Sequence, residues 1–512
     1  MCRGNFSCRG SITVFASLSL LLVASFLLAL LEAARLEGLQ SYAAMNRANA
    51  LESVLSGYNR ELFGEYGIFL LDAGYGSSSV NLSRINGQLQ EVSQKNLRPA
   101  VPDMRVMDTV NFYQMNVSDA SVTHYLLATD YNGAPFRRMA AESMKLLYPV
   151  GLARQVKEHL QKADEAMEQG EKSRLAIADA EADIRAAKEK QASESKAGQE
   201  AQTKADECVS EPAMPAENPI EVVKKLKETD LLTMVLPQGS HVSAKALADR
   251  DTIEHRSLQK GNEPWQEDAG WYEELCYQQF LKTYFSCFTS EQKDGGALDY
   301  ELEYILAGKI ADRENLKRVA QELLLLREGA NFLYLQGDAA KKEEAYALAT
   351  ALLAPVGLAA AAPAAAQGIL AAWAFAESVL DVRALFAGGR VAWLKTAASW
   401  TSSLSGLGTA LTGGTRAKEQ TTGEDYEGYL QKLLYLKSAK ILSYRAMDLL
   451  ERRLRLQERY GQVRMDCMMV FVRAEFTYEA SPLFSGMVTL RKLQTDRFLC
   501  ADTAQDGYLP EE

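Results

Sequence analysis

The sequence predicts an α+β protein, predominantly helical, carried on one N-terminal transmembrane helix. Three observations predict it. Twenty residues from Ile12 to Leu31 (ITVFASLSLLLVASFLLALL) carry no charge, which is enough helix to cross a hydrocarbon core of ~30 Å. Apolar residues recur at helical spacing through most of 271–460. Two stretches rich in β-branched and aromatic residues, one early and one near the C-terminus, read as strands that pair in a small antiparallel sheet.

The first part, residues 1–31, is a cytoplasmic N-terminus and the membrane helix. Arg3 and Arg9 precede the apolar run while Glu32 and Glu37 follow it. Positive charge on the near side predicts that the N-terminus stays in the cytoplasm and the body emerges outside. The run exceeds the ~7–15 apolar residues of a cleavable signal. It continues at helical spacing into LEAARLEGLQSYAAMNRANALESVL, so a retained anchor is the reading, with cleavage near Ala33–Ala34 the alternative. Cys2 and Cys8 precede the run, whereas a lipoprotein cysteine follows one.

Residues 32–150 form a stalk helix and an N-terminal α/β part. YGIFLLDAGYG (66–76) reads as a short strand ending in a Gly-rich turn. Between 106 and 130 the pattern suggests two strands joined around Ser118–Asp119, then a turn at Tyr131-Asn132-Gly133 and a helix over 136–148. Residues 151–210 turn rich in Ala, Glu, Lys and Gln, with short heptad traces at Ile177/Ile184 and Ala180/Ala187. They predict a protruding helical hairpin that reverses at Gly170 or at 193–198. Pro212, Pro215 and Pro219 mark a linker within 211–270, which also holds short elements and a polar loop over 251–267. Residues 271–460 form a helical domain, and 461–512 supply one or more strands returning to the sheet.

Residues 345–376 also lack charge. About half are alanine, a weak driver of membrane insertion, and Pro355, Gly357, Pro363 and Gly368 divide the run. A buried helical hairpin is favoured over a membrane-inserted one.

A net charge of −11 argues against nucleic acid as a partner, because phosphate binding needs a basic face. The seven cysteines include no CxxC, and the five after the anchor cannot all pair within one chain. Cys276 and Cys287 read as small buried apolar residues. His124, His159, His241 and His255 are scattered without metal-ligand spacing, and no GxSxG, phosphate loop or dinucleotide fingerprint occurs. Gly388-Gly389 and Gly413-Gly414 read as turns. Neither a catalytic residue nor a metal or cofactor ligand is assigned, and no small molecule is indicated.

Two polar sets sit in apolar helices: Glu301, Glu303 and Tyr304 with Arg327 and Glu328, and Glu377, Asp381 and Arg383. Buried ion pairs or helix caps are the first reading, paired carboxylates in a catalytic cleft the second. Glu254-His255 reads as solvated loop. Arg445, Arg452, Arg453, Arg455, Arg459 and Arg464 make the late helix basic, either a solvated face or a contact with anionic wall polymer or lipid.

The segment CRGSITVFASLSLLL resembles the N-terminus of TadE/TadG-like pseudopilins of the Flp (Tad) pilus machinery. Gly10 and Ser11 match that family's processing point, while Phe15 replaces its expected Glu. The blocks LDYELEYILAGK (298–309), LLLLREGANFLYL (323–335) and AWAFAESVLDVRALFAGGRVAWLKT (372–396) resemble a family of uncharacterised membrane-anchored proteins of anaerobic Gram-positive bacteria. These resemblances imply a non-enzymatic structural or interaction protein at the cell membrane, with protein partners in a pilus or secretion assembly. A surface hydrolase with its site in the helical domain is the alternative, and a scaffold that grips a partner through 151–205 is a third.

Overall fold

The computed structural model describes residues 9–98, 113–198, 218–247, 251–266, 270–291, 296–412, 415–418, 423–484 and 497–509. Cys2, Arg3, Cys8, residues 106–112, Cys208, Pro212, Pro215 and Gly413–Gly414 lie outside the described residues. The chain divides into two units, Met1–Met139 with Ser257–Asp268 and Leu454–Glu512, and Ala140–Arg256 with Ala269–Arg453.

The first unit is organised by α1 (Arg9–Leu55), a helix of 47 residues with no proline to interrupt it. Its leading part is bare: Ile12, Phe15 and Leu20 are 72, 73 and 72% exposed. Among the described residues it is the one helix long and apolar enough to cross a membrane. Its trailing part is core, with Leu39, Ala43, Ala50, Leu51, Val54 and Leu55 buried. Glu32 and Arg35 occupy the changeover and are themselves buried.

Asn59 caps α2 (Arg60–Tyr66) by accepting from the Glu61 and Leu62 amides, and Gly67 ends it in the left-handed region. Then come β1 (Leu71–Asp72), α3 (Leu82–Asn96), β2 (Met115–Leu127) and α4 (Asp130–Lys145). The unit is completed by β3 (Met468–Ala480) and β4 (Phe498–Gly507). β3 is the central strand, antiparallel to β2, to β4 and, at its start, to β1. The expected pairing of early and late strands is therefore present. The sheet packs Val117, Val472, Phe476 and Tyr478 with Ile85 and Leu89 of α3 and the trailing part of α1.

The two strands expected around Ser118–Asp119 are one. Pairing with β3 slips between Val117 and Asp119, leaving Ser118 as the extra residue of a bulge. Ser and Asp favour turns locally, but Tyr478 and Thr477 opposite keep the ladder running, so the strand bends without reversing. The turn at Tyr131-Asn132-Gly133 is real, with all three residues in the left-handed region (φ 48, 61 and 77°).

The second unit is helical. It contains α5 (Val150–Gly198), α6 (Pro219–Lys227), α7 (Leu231–Val235) and α8 (Trp271–Tyr284). These are followed by α9 (Glu301–Ala307), α10 (Asp312–Gly337), α11 (Ala339–Leu353) and α12 (Ala362–Phe386). Last come α13 (Leu407–Thr412), α14 (Tyr426–Tyr435) and α15 (Ala439–Arg455). The 345–376 run is the α11–α12 hairpin, and α12 is buried from Gly368 to Phe386.

Of the two reversal points expected for the hairpin over 151–205, Gly170 needs correction, since α5 runs straight through it to Gly198; the chain beyond the second point, 193–198, lies outside the described residues. It packs on α10 and α12 with Ala163, Ala166, Ser173, Ile177 and Ala180 buried. The small residues that weaken a coiled-coil reading are what let these helices touch. A methyl group at Gly329 would collide with the Ala166 carbonyl, and one at Gly170 with the Leu325 carbonyl.

Gly329→Ala is expected to destabilise the protein by about 1–3 kcal/mol through overpacking, against a helix-propensity gain of about 1 kcal/mol. Urea unfolding followed by circular dichroism measures it; unchanged stability would mean that the α5–α10 contact is looser than described.

Candidate functional site

The two polar sets meet in the helical unit. Arg327 of α10 has no exposed surface. Its Nε donates to Asp381 Oδ2 (3.0 Å), its Nη1 to the Trp393 carbonyl (2.9 Å) and the Tyr429 hydroxyl (3.0 Å), and its Nη2 to Asn331 Oδ1 (3.1 Å). Lys395 completes the cluster, with Nζ 2.6 Å from Glu377 and 2.7 Å from Asp381. Glu377 also accepts from the Thr401 and Ser402 amides. Two cations thus neutralise two carboxylates with no exposed side-chain surface on any of them. Charges this dry persist only when paired and fully hydrogen-bonded.

The remaining members cap chain ends and loops. Arg383 donates to the carbonyls of Met234, Ala410, Leu411 and Thr415, closing the C-terminal ends of α7 and α13. Glu301 accepts from the Ser286 amide, and Glu303 from the Phe288 amide and the Tyr426 hydroxyl. Burial pushes the Glu303 carboxyl up to about 7 and the neighbouring Cys287 thiol to about 11. Glu328 pairs with Arg174 and Ser173 of α5. The ion-pair and cap reading therefore describes both sets.

Lys395 is the member that sequence reasoning missed. Its signal is a lone cation inside VAWLKTAASW, an otherwise apolar and small-residue segment.

An open cleft lies elsewhere in the same unit. It encloses about 430 Å³ and is lined by Thr252, Glu254, His255, Tyr304, Arg445 and Asp448, among others. Asp448 of α15 is 2% exposed and accepts from the Ile253 amide (2.8 Å), with the Tyr304 hydroxyl at 3.2 Å. Burial, aided by the nearby Glu451 charge and opposed by the Ile253 amide, raises its carboxyl to about 7. His255 Nδ1 lies 2.7 Å from Thr252 Oγ1. Arg445 donates to the Ile305 and Leu306 carbonyls at the end of α9. Glu254-His255, read from sequence as solvated loop, thus borders a concave site beside a carboxyl poised near neutrality. Such a combination suits proton transfer as well as a loop latch.

Of the other histidines, His124 stands on β2 and His241 is exposed before the segment that leads to α8. Among the described residues no group of three or more His, Cys, Asp or Glu side chains is placed to hold a metal. Cys276 and Cys287 are buried thiols. Gly10 and Ser11 fall in the first turns of α1, and Phe15 is an exposed residue of its apolar run.

A family model of unknown function, DUF5702, matches residues 210–480, more than half of the chain. The chain belongs to that family. No curated protein and no solved structure matches it. The DUF5702 match begins ahead of α6 and ends at the last residue of β3, so it takes in the Arg327 cluster and the Asp448 cleft and leaves α1 outside.

Two substitutions test these assignments. Arg327→Met removes one of the two cations that meet buried Asp381 and is expected to lower stability by about 3–5 kcal/mol, read by denaturant unfolding. For Asp448, the raised carboxyl means that the folded state holds a proton which the unfolded chain has lost above its ordinary value of 3.8. This contribution is therefore present at pH 3.8 and below, and is lost as pH rises through about 7. Asp448→Asn keeps an acceptor for Ile253 and should flatten the pH–stability profile across that window; an unchanged slope would contradict the assignment.

Proposed function

We propose that this DUF5702 chain is a single-pass membrane protein whose N-terminus is cytoplasmic and whose body is an extracytoplasmic structural or interaction component. The observation that carries the reading is the changeover at Glu32–Arg35. Before it, apolar side chains stand exposed along some twenty residues, a surface that water does not tolerate and a bilayer accommodates. At it, Glu32 pairs with Arg35 (2.6 Å) and accepts from the Leu483 and Phe484 amides, while Arg35 also donates to the Tyr113 carbonyl. After it, the same helix is core.

This arrangement supports a retained anchor over a removed signal. Cleavage near Ala33–Ala34 would take Glu32 away and leave buried Arg35 and two amides without their acceptor. The charge asymmetry of Arg3 and Arg9 against Glu32 and Glu37 supports the orientation. Association with a Tad/Flp-type pilus or secretion system rests on the GSITVF resemblance, with Gly10–Ser11 as the processing point.

A surface hydrolase working from the Asp448 cleft is the second reading. A carboxyl near neutrality in the same cleft as an imidazole favours it, and hydrolysis of an ester, glycoside or peptide substrate that disappears in a folded Asp448→Asn variant would establish it.

For the first reading, the full-length protein should stay with membranes after alkaline extraction, and protease added outside the cytoplasmic membrane should digest the body. Recovery in the soluble fraction would overturn it. Cross-linking in native membranes should capture pilus or secretion components. Glu32→Ala is expected to cost about 3 kcal/mol in the unfolding of the first unit, and a neutral result would remove the argument for retention.

A further inference from the structure

The first unit contains a second concave site, on different chemistry. It is a cleft of about 640 Å³ at the trailing end of α1, lined by Ser56, Tyr58, Asn59, Arg60, Asp72, Tyr75, Arg84 and Arg459, among others. Three arginines and one carboxylate line it. That carboxylate is already occupied, since Asp72 accepts from the Gly74 (3.0 Å) and Gly76 (2.7 Å) amides. No ion pair to a described residue engages Arg60, Arg84 or Arg459. The Arg84 guanidinium lies 4.1 Å from the Tyr75 ring centroid, and the Tyr75 hydroxyl donates to Gln88 (2.6 Å). Stacking of this kind holds the planar donor fork in place.

An independent observation comes from Asn59, which is 5% exposed and lines the same cleft. Its Oδ1 is committed to capping α2, accepting from the Glu61 and Leu62 amides at 3.1 Å each. The amide therefore cannot be turned over, and Nδ2 is left as a buried donor without an acceptor. A buried donor without a partner is unfavourable by about 1–3 kcal/mol.

From this convergence we infer that the cleft binds an oxyanion, a phosphate group carried on a soluble or polymeric ligand. Three unpaired guanidiniums supply the charge and forked donors that phosphate takes. The source follows from α1, and this step alone rests on the membrane-tether reading. Val54 is some 23 residues beyond Leu31, about 35 Å along the helix at 1.5 Å per residue. Headgroups of the anchoring bilayer do not reach that far along an upright helix, whereas a phosphate-bearing polymer outside the membrane does.

The test is titration of the full-length protein in neutral detergent with inorganic phosphate and with glycerol phosphate, at low ionic strength, by calorimetry. Vesicles of phosphatidylglycerol and phosphatidylcholine form a separate arm with the protein reconstituted. Saturable binding of both soluble probes is expected, weakened about tenfold or more by Arg84→Gln or Arg459→Gln, a change of roughly 1.4 kcal/mol or more. Both arginines are exposed, so these variants should fold. Asn59→Asp keeps the helix cap but replaces the free donor with an acceptor, and should abolish binding. No saturable binding, binding by both arginine variants as tight as by the unsubstituted protein, or binding to the vesicles alone would overturn the proposal. Failure of the membrane-tether reading would leave the soluble-probe result unaffected.

Discussion

Glu32 joins three stretches of chain: its own helix through Arg35, the approach to β2 through the Arg35–Tyr113 contact, 78 residues apart in sequence, and the segment after β3 through Leu483, 451 residues on, and Phe484. An acidic side chain in that position is under strong constraint, because removing it leaves a buried cation and two amide donors without an acceptor. The constraint fixes the point along α1 at which the helix stops being an unaccompanied apolar rod and becomes the core element against which the sheet packs. Without it the helix is free to slide or roll on α3, and the position of the body relative to the apolar run is no longer defined.

The same logic of closed charge recurs in the helical unit, on a larger scale. α10, α12, α14 and the 391–402 segment are tied by Arg327, Asp381, Lys395 and Glu377, whose charges balance. Packing between α5 and α10 is through glycine and alanine, a contact that has little side-chain shape to select one register. A hydrogen-bonded cluster that tolerates no vacancy supplies that selection for the helices it joins, since any slip of α12 against α10 separates Asp381 from Arg327. Arg383 does comparable work at the helix ends by collecting carbonyls that have no intrahelical donor.

What the sequence made legible follows from how local each signal is. The apolar run, the helical periodicity of α10, α14 and α15, the Tyr131–Gly133 turn and the strand character of 468–480 depend on residues close in sequence, and all are present in the structure. The bulge at Ser118 was hidden because the ladder with β3 is non-local and overrides the turn preference of Ser-Asp. The straight course of α5 was hidden for a related reason: Gly170 breaks a helix only where nothing presses on it, and here Leu325 does. Among the polar residues, chemistry was visible but partnership was not. Glu301, Arg327 and Asp381 stood out as charges in apolar helices, yet Lys395 and Glu32 looked like ordinary flank residues until the structure supplied their partners.

The distribution of satisfied and unsatisfied charge is what separates scaffold from candidate function. Where Arg327, Glu377, Asp381 and Lys395 meet, no side-chain surface is exposed and formal charge cancels, so an approaching ligand finds nothing to exchange for its hydration shell. Asp448 is intermediate: both oxygens have partners, but burial holds its proton near neutrality and an imidazole shares its cleft. Arg60, Arg84 and Arg459 are the opposite case, three cations in a concavity whose one carboxylate is taken by backbone amides, beside an amide donor with no acceptor. Folding has no evident use for the stranded Asn59 donor, which opposes it. An anion would give those cations a partner, which is why the cleft at the trailing end of α1, built mostly from residues ahead of the span matched by the family model but with Arg459 inside it, is where recognition is to be sought.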